Sequence, residues 1–311
     1  MDILLSIIIV NWNVSDLLIG AIQSILDNPP SCDFELIVVD NASIDDSLEK
    51  LSKHYPKVLT VKNTENIGFG KANNQGIEIA KGEYILLLNP DTVIIGDAIE
   101  TLIRALNKHP EVGMVGPKLL TKELEPQLGG ARLSRTFISG ILLDLLFVGR
   151  IPWLGNKIVK SMRYPYDPDV ESYVEVISGA AMLFKRSTID FVGRFDERFF
   201  LAGEDIELCD RFWEKGLKIL YMPSAKIIHY NQSCTPVDPV RVFVNKFMGV
   251  AKYYQIKSGK VAHLTFRILT YLVLTPKLLL KSLIALVRSN GSNAKYHIEI
   301  LRQLIRWKIN A

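Results

Sequence analysis

Apolar and polar positions along the first hundred residues alternate between two rhythms. "LLSIIIVNW" (4–12) is a continuous run rich in isoleucine, as a strand buried on both faces requires. "VSDLLIGAIQSIL" (14–26) then switches to helical spacing, and "FELIVVD" (34–40) predicts a second buried strand. "SIDDSLEKLSKHY" (43–55) predicts a helix with Ser43 and the acids after it as start signals. "VLTVKN" predicts a third strand, and "GKANNQGIEIAKG" (70–82) a helix closed by Gly82. "EYILLLN" (83–89) reads as a fourth strand and "GDAIETLIRALNKH" (96–109) as a helix that stops before Pro110.

Strands and helices joined by short connections imply a doubly wound, mostly parallel α/β sheet. In such sheets ligands bind beyond the carboxyl ends of the strands. Polar residues gather there: Asn11 and Asn13 after the first strand, Asp40 and Asn41 after the second, Asn89 and Asp91 after the fourth. The stretch "YILLLNPDTVI" (84–94) is thus a central strand leaving the sheet through Asn89-Pro90-Asp91, where Pro90 cannot donate to a ladder. Beyond about residue 116 the alternation fades, and Gly129-Gly130 and several prolines mark irregular structure to about residue 170. "ISGAAMLFKR" (177–186) is strand-like, "GEDIELCDRFWEKG" (203–216) helical with an acidic start, and "KILYM" and "AKIIHY" are two short strands.

With 48% hydrophobic and 23% charged residues in 311, the chain has the material for a large core and is not disordered. Cys32, Cys209 and Cys234 are too far apart and too few for a disulfide framework or a zinc spacing, which points to a reducing compartment. Asp2 stands where a signal peptide would be basic, so none is expected. The net charge of +4 conceals a split: from Arg241 onward 13 Lys/Arg face the single acid Glu299, against 24 Lys/Arg and 32 Asp/Glu before it. The basic end suits a surface of phosphates.

The chemistry is first a matter of exclusions. "IVNWNVSD" is not G-x-G-x-x-G, which disfavours nicotinamide binding, and no P-loop is present. "GFGKANNQG" (68–76) is either a turn with a helix entry or a place where backbone approaches a nucleotide. Asp40 can accept hydrogen bonds from a ribose or base edge, or cap a helix. Asp91 can bind a hard cation such as magnesium or manganese, which takes oxygen ligands and substrate phosphates, or simply form a turn. Glu204-Asp205 opens a helix, where the dipole alone favours acids. His229 is either a core histidine or a metal ligand.

Together "SIIIVNWN", "LIVVDNASIDDS", "NTENIGFGKANNQGI", "GEYILLLNPDT", "SGAAMLFKR", "FDERFFLAGEDIELCDRFWEKG" and "AKIIHY" resemble, in order, a family 2 glycosyltransferase of the GT-A fold, in its rhamnosyltransferase-like branch. The resemblance covers roughly residues 4–232. That branch often carries N-P-D where other members have D-x-D, as Asn89 does here. The resemblance implies a catalytic domain over 1–235, with a nucleotide-binding half (1–116) and an acceptor half (117–235), followed by a basic helical extension (236–311). It implies that Asn11, Asp40, Asn66, Asn73 and Asn89 hold a nucleotide-sugar. Asp91, completed by His229, would bind a divalent Mn2+ or Mg2+, and Asp205 would be the general base. Glu204 and Arg211 would support the acceptor side. The implied reaction is inverting transfer of a sugar, rhamnose from dTDP-rhamnose or else from a UDP-sugar, onto a lipid-linked or polysaccharide acceptor. The products would be cell-envelope glycans such as O-antigen or cell-wall polysaccharide. The rivals are a catalytically silent nucleotide-sugar-binding scaffold and a sugar nucleotidyltransferase, whose glycine-rich opening "VNWNVS" lacks. No nucleic-acid partner is expected.

The basic end contains "LTFRILTYLVLTPKLLLKSLIALVR" (264–288), whose longest uncharged run, 268–276, falls short of a membrane span. On a helix, Arg267, Lys277, Lys281 and Arg288 fall within an arc of about 80°. This predicts a helix in the membrane interface with its basic stripe toward anionic lipid phosphates, peripheral on the cytoplasmic face of the inner membrane. A helix packed on the catalytic domain or docking a partner protein is the alternative, and Trp153 with residues 137–155 would join the membrane face.

Overall fold

The computed structural model describes residues 4–127, 130–132, 167–231, 239–287 and 291–306. Trp153 and the 137–155 stretch, Cys234 and Arg288 lie outside the described residues. The run "LSIIIVN" forms β1 (Leu5–Asn11), buried along its whole length. It sits between β2 (Phe34–Asp40) and β4 (Tyr84–Leu88), parallel to both, with β3 (Leu59–Lys62) beyond β2. The connecting helices are α1 (Ser15–Asp27), α2 (Ser47–His54) and α3 (Phe69–Ile79). Side chains alternate across the pleat. Ile7 and Ile9 join Leu18 and Ile22 of α1 in one core layer, and Ile8 and Val10 join Ala72 and Ile77 of α3 in the other.

Past β4 the sheet changes character. The short strand β5 (Thr92–Ile95) leaves for the far edge, followed by α4 (Ala98–Lys108) and β6 (Val112–Leu120). The small β7 (Ala131–Arg132), β8 (Ser172–Tyr173) and β9 (Val176–Ile177) precede β10 (Ala181–Lys185) and α5 (Arg186–Val192). Then come α6 (Glu204–Glu214) and β11 (Lys218–His229). The strand order is β3-β2-β1-β4-β10-β6-β11-β5. β10 runs antiparallel to β4, pairing Ala181 with Leu88, so the start of β10 meets the end of β4.

Several sequence expectations need correction. The second helix begins at Ser47, not Ser43, because Ser43 is held by Asp40 and Asn11 instead of capping a helix. The third helix ends at Ile79, and Gly82 lies beyond it against the Leu5–Ser6 backbone. "KILYM" and "AKIIHY" form one strand, β11, with a register shift between Met222 and Lys226.

The C-terminal region forms α7 (Pro239–Val287), broken at Gly259 (φ 81°), and α8 (Gly291–Arg306). Pro276 lies inside α7, while the non-helical backbone is at Gly259. The first part of α7 packs on the sheet domain: Val244, Phe247, Ala251, Tyr253 and Tyr254 share a core layer with α3 and α6. Tyr253 Oη donates to Asp210 Oδ2 (2.8 Å). Gly249 meets the loop before α6 so closely that a Cβ would sit 1.9 Å from the Ala202 carbonyl oxygen.

The second part of α7 splits the expected stripe, leaving Lys281 exposed while its other described members turn inward. Arg267 is 6% exposed, Lys277 is half-buried, and the outward face is apolar, with Leu272 66% and Val287 79% exposed. Leu264, Ile268, Leu279 and Leu283 continue that face. The inner face carries Thr270, Ser282 and Ala285, with both hydroxyls bonded to their own helix backbone, and Ile300, Leu301 and Leu304 of α8 lie buried alongside. By length and composition α7 is also long and apolar enough to cross a membrane.

Gly249→Ala should lower the denaturation midpoint by the equivalent of about 1–3 kcal/mol, the usual cost of overpacking where backbone meets backbone. An unchanged midpoint would mean that α7 does not bear on the loop before α6.

Candidate active site

Register alone brings the first group together. Asn11 and Asp40 are paired residues at the ends of β1 and β2. Asn11 Nδ2 donates to Asp40 Oδ2 (2.9 Å) and Ser43 Oγ (3.0 Å), and Asp40 Oδ1 accepts the Ser43 N–H (2.9 Å). Asn11 Oδ1 is buried without a hydrogen-bond partner. Asn41, one residue on, is a hub absent from the expected site. Its Nδ2 donates to Asn66 Oδ1 (2.9 Å) and the Gly68 carbonyl (3.2 Å), while its Oδ1 accepts from Asn63 (3.2 Å) and the Ile67 N–H (3.1 Å). This network carries Asn66 to the site. Asn73 is not brought there: it is buried in α3 and donates to the Phe69 carbonyl (3.0 Å).

The Asn-Pro-Asp turn supplies the second group. Asp91 is fully buried, and its Oδ1 lies 3.3 Å from His229 Nε2. His229 arrives because the end of β11 pairs with β5, opposite Thr92. Gln127 fixes the ring: its Oε1 is 2.8 Å from Nδ1, and the other half of the same amide donates to the His229 carbonyl (3.3 Å). Gln127 thereby holds the ring by its Nδ1 side and leaves Nε2 as the nitrogen that faces Asp91. Asn89 Nδ2 is 3.3 Å from Nε2, and Asn89 Oδ1 is buried without a hydrogen-bond partner. A carboxylate oxygen and an imidazole lone pair at this spacing suit a small divalent cation, whose ligands at right angles sit about 3 Å apart. Among the described residues no group of three or more His, Cys, Asp or Glu converges. Among the described residues, the oxygen and nitrogen atoms gathered at this point are those of Asp91 and His229, with the Asn89 amide beside them.

The third group lies at the start of α6, after two residues in left-handed conformation, Ala202 (φ 67°) and Gly203 (φ 93°). Asp205 is half-buried and accepts the N–H of Ile206 (2.9 Å) and of Gly179 (3.3 Å). Gly179 precedes Ala180, whose carbonyl accepts the Asn89 N–H (2.9 Å). Asp205 is thus two short links from the Asp91 turn, at the same end of the sheet. Glu204 is 4% exposed, with Oε2 lacking a hydrogen-bond partner. Burial first, then the neighbouring Asp205 charge, pushes its carboxyl up to about 8. Arg211 sits outside this group: it pairs with Glu207 (2.9 Å) and donates to the carbonyls of Val192, Gly193 and Arg194, bracing the loop behind α6.

A cleft with a cavity volume of about 120 Å³, partly open to solvent, lies at this edge. It is lined by Trp12, Asn66, Gly68 and Phe69 together with Asn89 and Pro90. Phe200 and Leu201, with Arg241, Val242 and Asn245 of α7, line it as well. Sequence reasoning missed Gln127 and these α7 residues, which carry no local signal. Asn41 it noted only as a polar residue at a strand exit.

Residues 6–137 match the family model described as "Glycosyl transferase family 2". A curated relative from Mycobacterium tuberculosis (strain CDC 1551 / Oshkosh), "N-acetylglucosaminyl-diphospho-decaprenol L-rhamnosyltransferase", is 30% identical over 217 residues, covering 66% of this chain and 69% of that protein. Among solved structures, GalNAc-T7 with UDP, GalNAc and Mn2+ superposes with a TM-score of 0.58 at 19% identity, over 73% of this chain and 44% of that one. The mannosyltransferase PcManGT from Pyrobaculum calidifontis, in complex with GDP-Man and Mn2+, gives a TM-score of 0.55 at 16% identity, over 97% of this chain and 87% of that one. At these identities the structural likeness is one of fold.

Glu204 generates a pH prediction. Its folded carboxyl, near 8, lies above the unfolded value of 4.5, so the folded state holds the extra proton between them. Its contribution to stability is complete below about pH 4.5, falls as pH rises toward 8 and is flat above. Glu204→Gln should therefore flatten the decline of the denaturation midpoint across that window. Parallel profiles for the two proteins would refute a buried, neutral Glu204.

Proposed function

The chain belongs to glycosyl transferase family 2 and has the GT-A fold, and from that premise we propose an inverting, metal-dependent transferase acting on a lipid-linked acceptor. The sugar is rhamnose from dTDP-rhamnose, with UDP-sugars next, and the product is a cell-envelope glycan. The rhamnosyltransferase relative, named for a diphospho-decaprenol acceptor, supports both choices. One observation carries the reading: the Asp91–His229 pair and Asp205 lie at one end of the sheet, joined through Asn89, Ala180 and Gly179.

Asp91 and His229 would hold the divalent cation, and two structural neighbours solved with Mn2+ support that assignment. When bound, the cation supplies neutralisation of the charge on the departing diphosphate. Asn11, Asp40 and Asn66 would hold the nucleotide, with Asn66 lining the cleft and Asn11 and Asp40 buried at the ends of β1 and β2. Asp205 would take the proton of the acceptor hydroxyl as that oxygen forms its bond to the anomeric carbon and the nucleoside diphosphate leaves from the opposite face. A positioned base of this kind is worth roughly 10²–10⁴-fold. A single displacement inverts the anomeric centre and needs no second nucleophilic carboxylate. Glu204, neutral beside Asp205, adds no second negative charge at this helix start.

The enzyme would work at the cytoplasmic face of the inner membrane as a peripheral protein. The exposed leucines of α7 support this, with Lys281 of α7 and Lys295 and Arg302 of α8 exposed nearby to meet lipid phosphates. The outward face of α7 would lie in the interface.

In the test of the chemistry, Asp205→Asn should bind nucleotide-sugar as the wild type does while losing about 10²-fold or more in transfer rate. Asp91→Ala should lose donor binding at saturating Mn2+. Near-normal turnover in the first, or unchanged affinity in the second, removes the role concerned. For the membrane, Leu272→Glu with Leu283→Glu should release the protein from anionic liposomes at an unchanged melting midpoint, and full retention would dismiss the α7 face.

A further inference from the structure

The first turns of α7 line the cleft, and of the described residues that do so only Arg241 carries a charge. Three contacts hold it in place. Its guanidinium lies over the Phe200 ring, 5.0 Å from the centroid. The Phe200 carbonyl accepts the N–H of Phe69, another cleft residue (3.0 Å). Two turns along α7, Gly249 packs onto the Leu201 and Ala202 carbonyls, so the helix cannot slide without moving the loop that leads to Asp205. Val242 and Val244 are buried, anchoring the same turn.

A guanidinium stacked on an aromatic face keeps its plane fixed and its N–H donors arrayed round the edge. That geometry pairs two oxygens of a phosphate at once, which an ammonium does not do. Asn245, four residues on, lies on the same helix face and lines the same cleft. The other described lining residues are uncharged, many of them apolar, so a cation there is less screened than on an open surface.

Building on the glycosyltransferase reading above, we propose that Arg241, assisted by Asn245, is a diphosphate-binding position contributed to the cleft by the C-terminal helix. A diphosphate ester reaches this cleft from two sources, the nucleotide-sugar and the lipid-linked acceptor, and the same fork recognises either. The C-terminal helix is then part of the binding site as well as a membrane element.

Arg241→Gln and Arg241→Lys are tested in the full chain by titration calorimetry, which requires no turnover. Arg241 is exposed, so an unchanged melting midpoint is expected for both. One arm uses dTDP and UDP with dTMP and UMP as controls, and the other a short-chain prenyl diphosphate with the prenyl alcohol as control. Arg241→Gln should weaken a diphosphate ligand roughly ten- to a hundredfold, as loss of a charged hydrogen-bonding pair does, and leave its control unchanged. Arg241→Lys should recover part of the loss. Weakening confined to the nucleotide arm assigns the donor, and weakening confined to the prenyl arm assigns the acceptor. Unchanged affinity in both arms overturns the proposal, as does a wild type that binds neither diphosphate. Loss of transfer in Asp205→Asn with intact diphosphate titrations separates the chemistry from this binding position, so the two readings fail independently.

Discussion

The site depends on a reversal of strand direction beside β4. Had the next neighbour been another parallel strand, its start would lie at the opposite edge of the sheet. Because β10 runs antiparallel, its first residues meet the last residues of β4, and the Asn89 N–H bonds to the Ala180 carbonyl. Gly179 then reaches Asp205, and the helix that opens with Glu204-Asp205 is delivered to the end of the sheet where Asn11, Asp40 and Asp91 emerge. One antiparallel register thus unites a nucleotide-type half with residues more than a hundred positions away.

Three acids at that edge, Asp91, Glu204 and Asp205, pose an electrostatic problem, because buried like charges repel and lack water. The structure treats each differently. Asp91 faces an imidazole whose orientation is set by Gln127. Asp205 is half-exposed and receives two backbone N–H groups. Glu204, buried beside it, keeps its proton. The division leaves one carboxylate buried against an imidazole and another half-buried at a helix start.

The C-terminal helices join both themes. The first part of α7 belongs to the core shared with α3 and α6, and the second presents leucines outward while small and hydroxylated residues face inward. Apolar-out packing of this kind is unstable against water and suits hydrocarbon. A contact as close as that of Gly249 with the loop before α6 ties the two regimes together, so whatever seats the outer helix also bears on the loop leading to Asp205.

Much of this was legible along the chain. Continuous apolar runs located β1, β2 and β4, since a strand buried on both faces must be apolar at every position. The polar residues that end those runs, Asn11, Asp40, Asn89 and Asp91, had to lie at one sheet edge once the strands were parallel. Local pattern carried no information about partners far apart in sequence. Gln127 beside His229, Arg241 over Phe200, and Ser43 spent on Asp40 instead of on a helix cap all follow from which elements pack together. The outward face of α7 is the sharpest case: periodicity gathered Arg267, Lys277 and Lys281 on one side, yet direction is defined only by what covers a helix. Here α8 covers the side with the small residues and Arg267, because short side chains permit close approach, and the leucines are left outside.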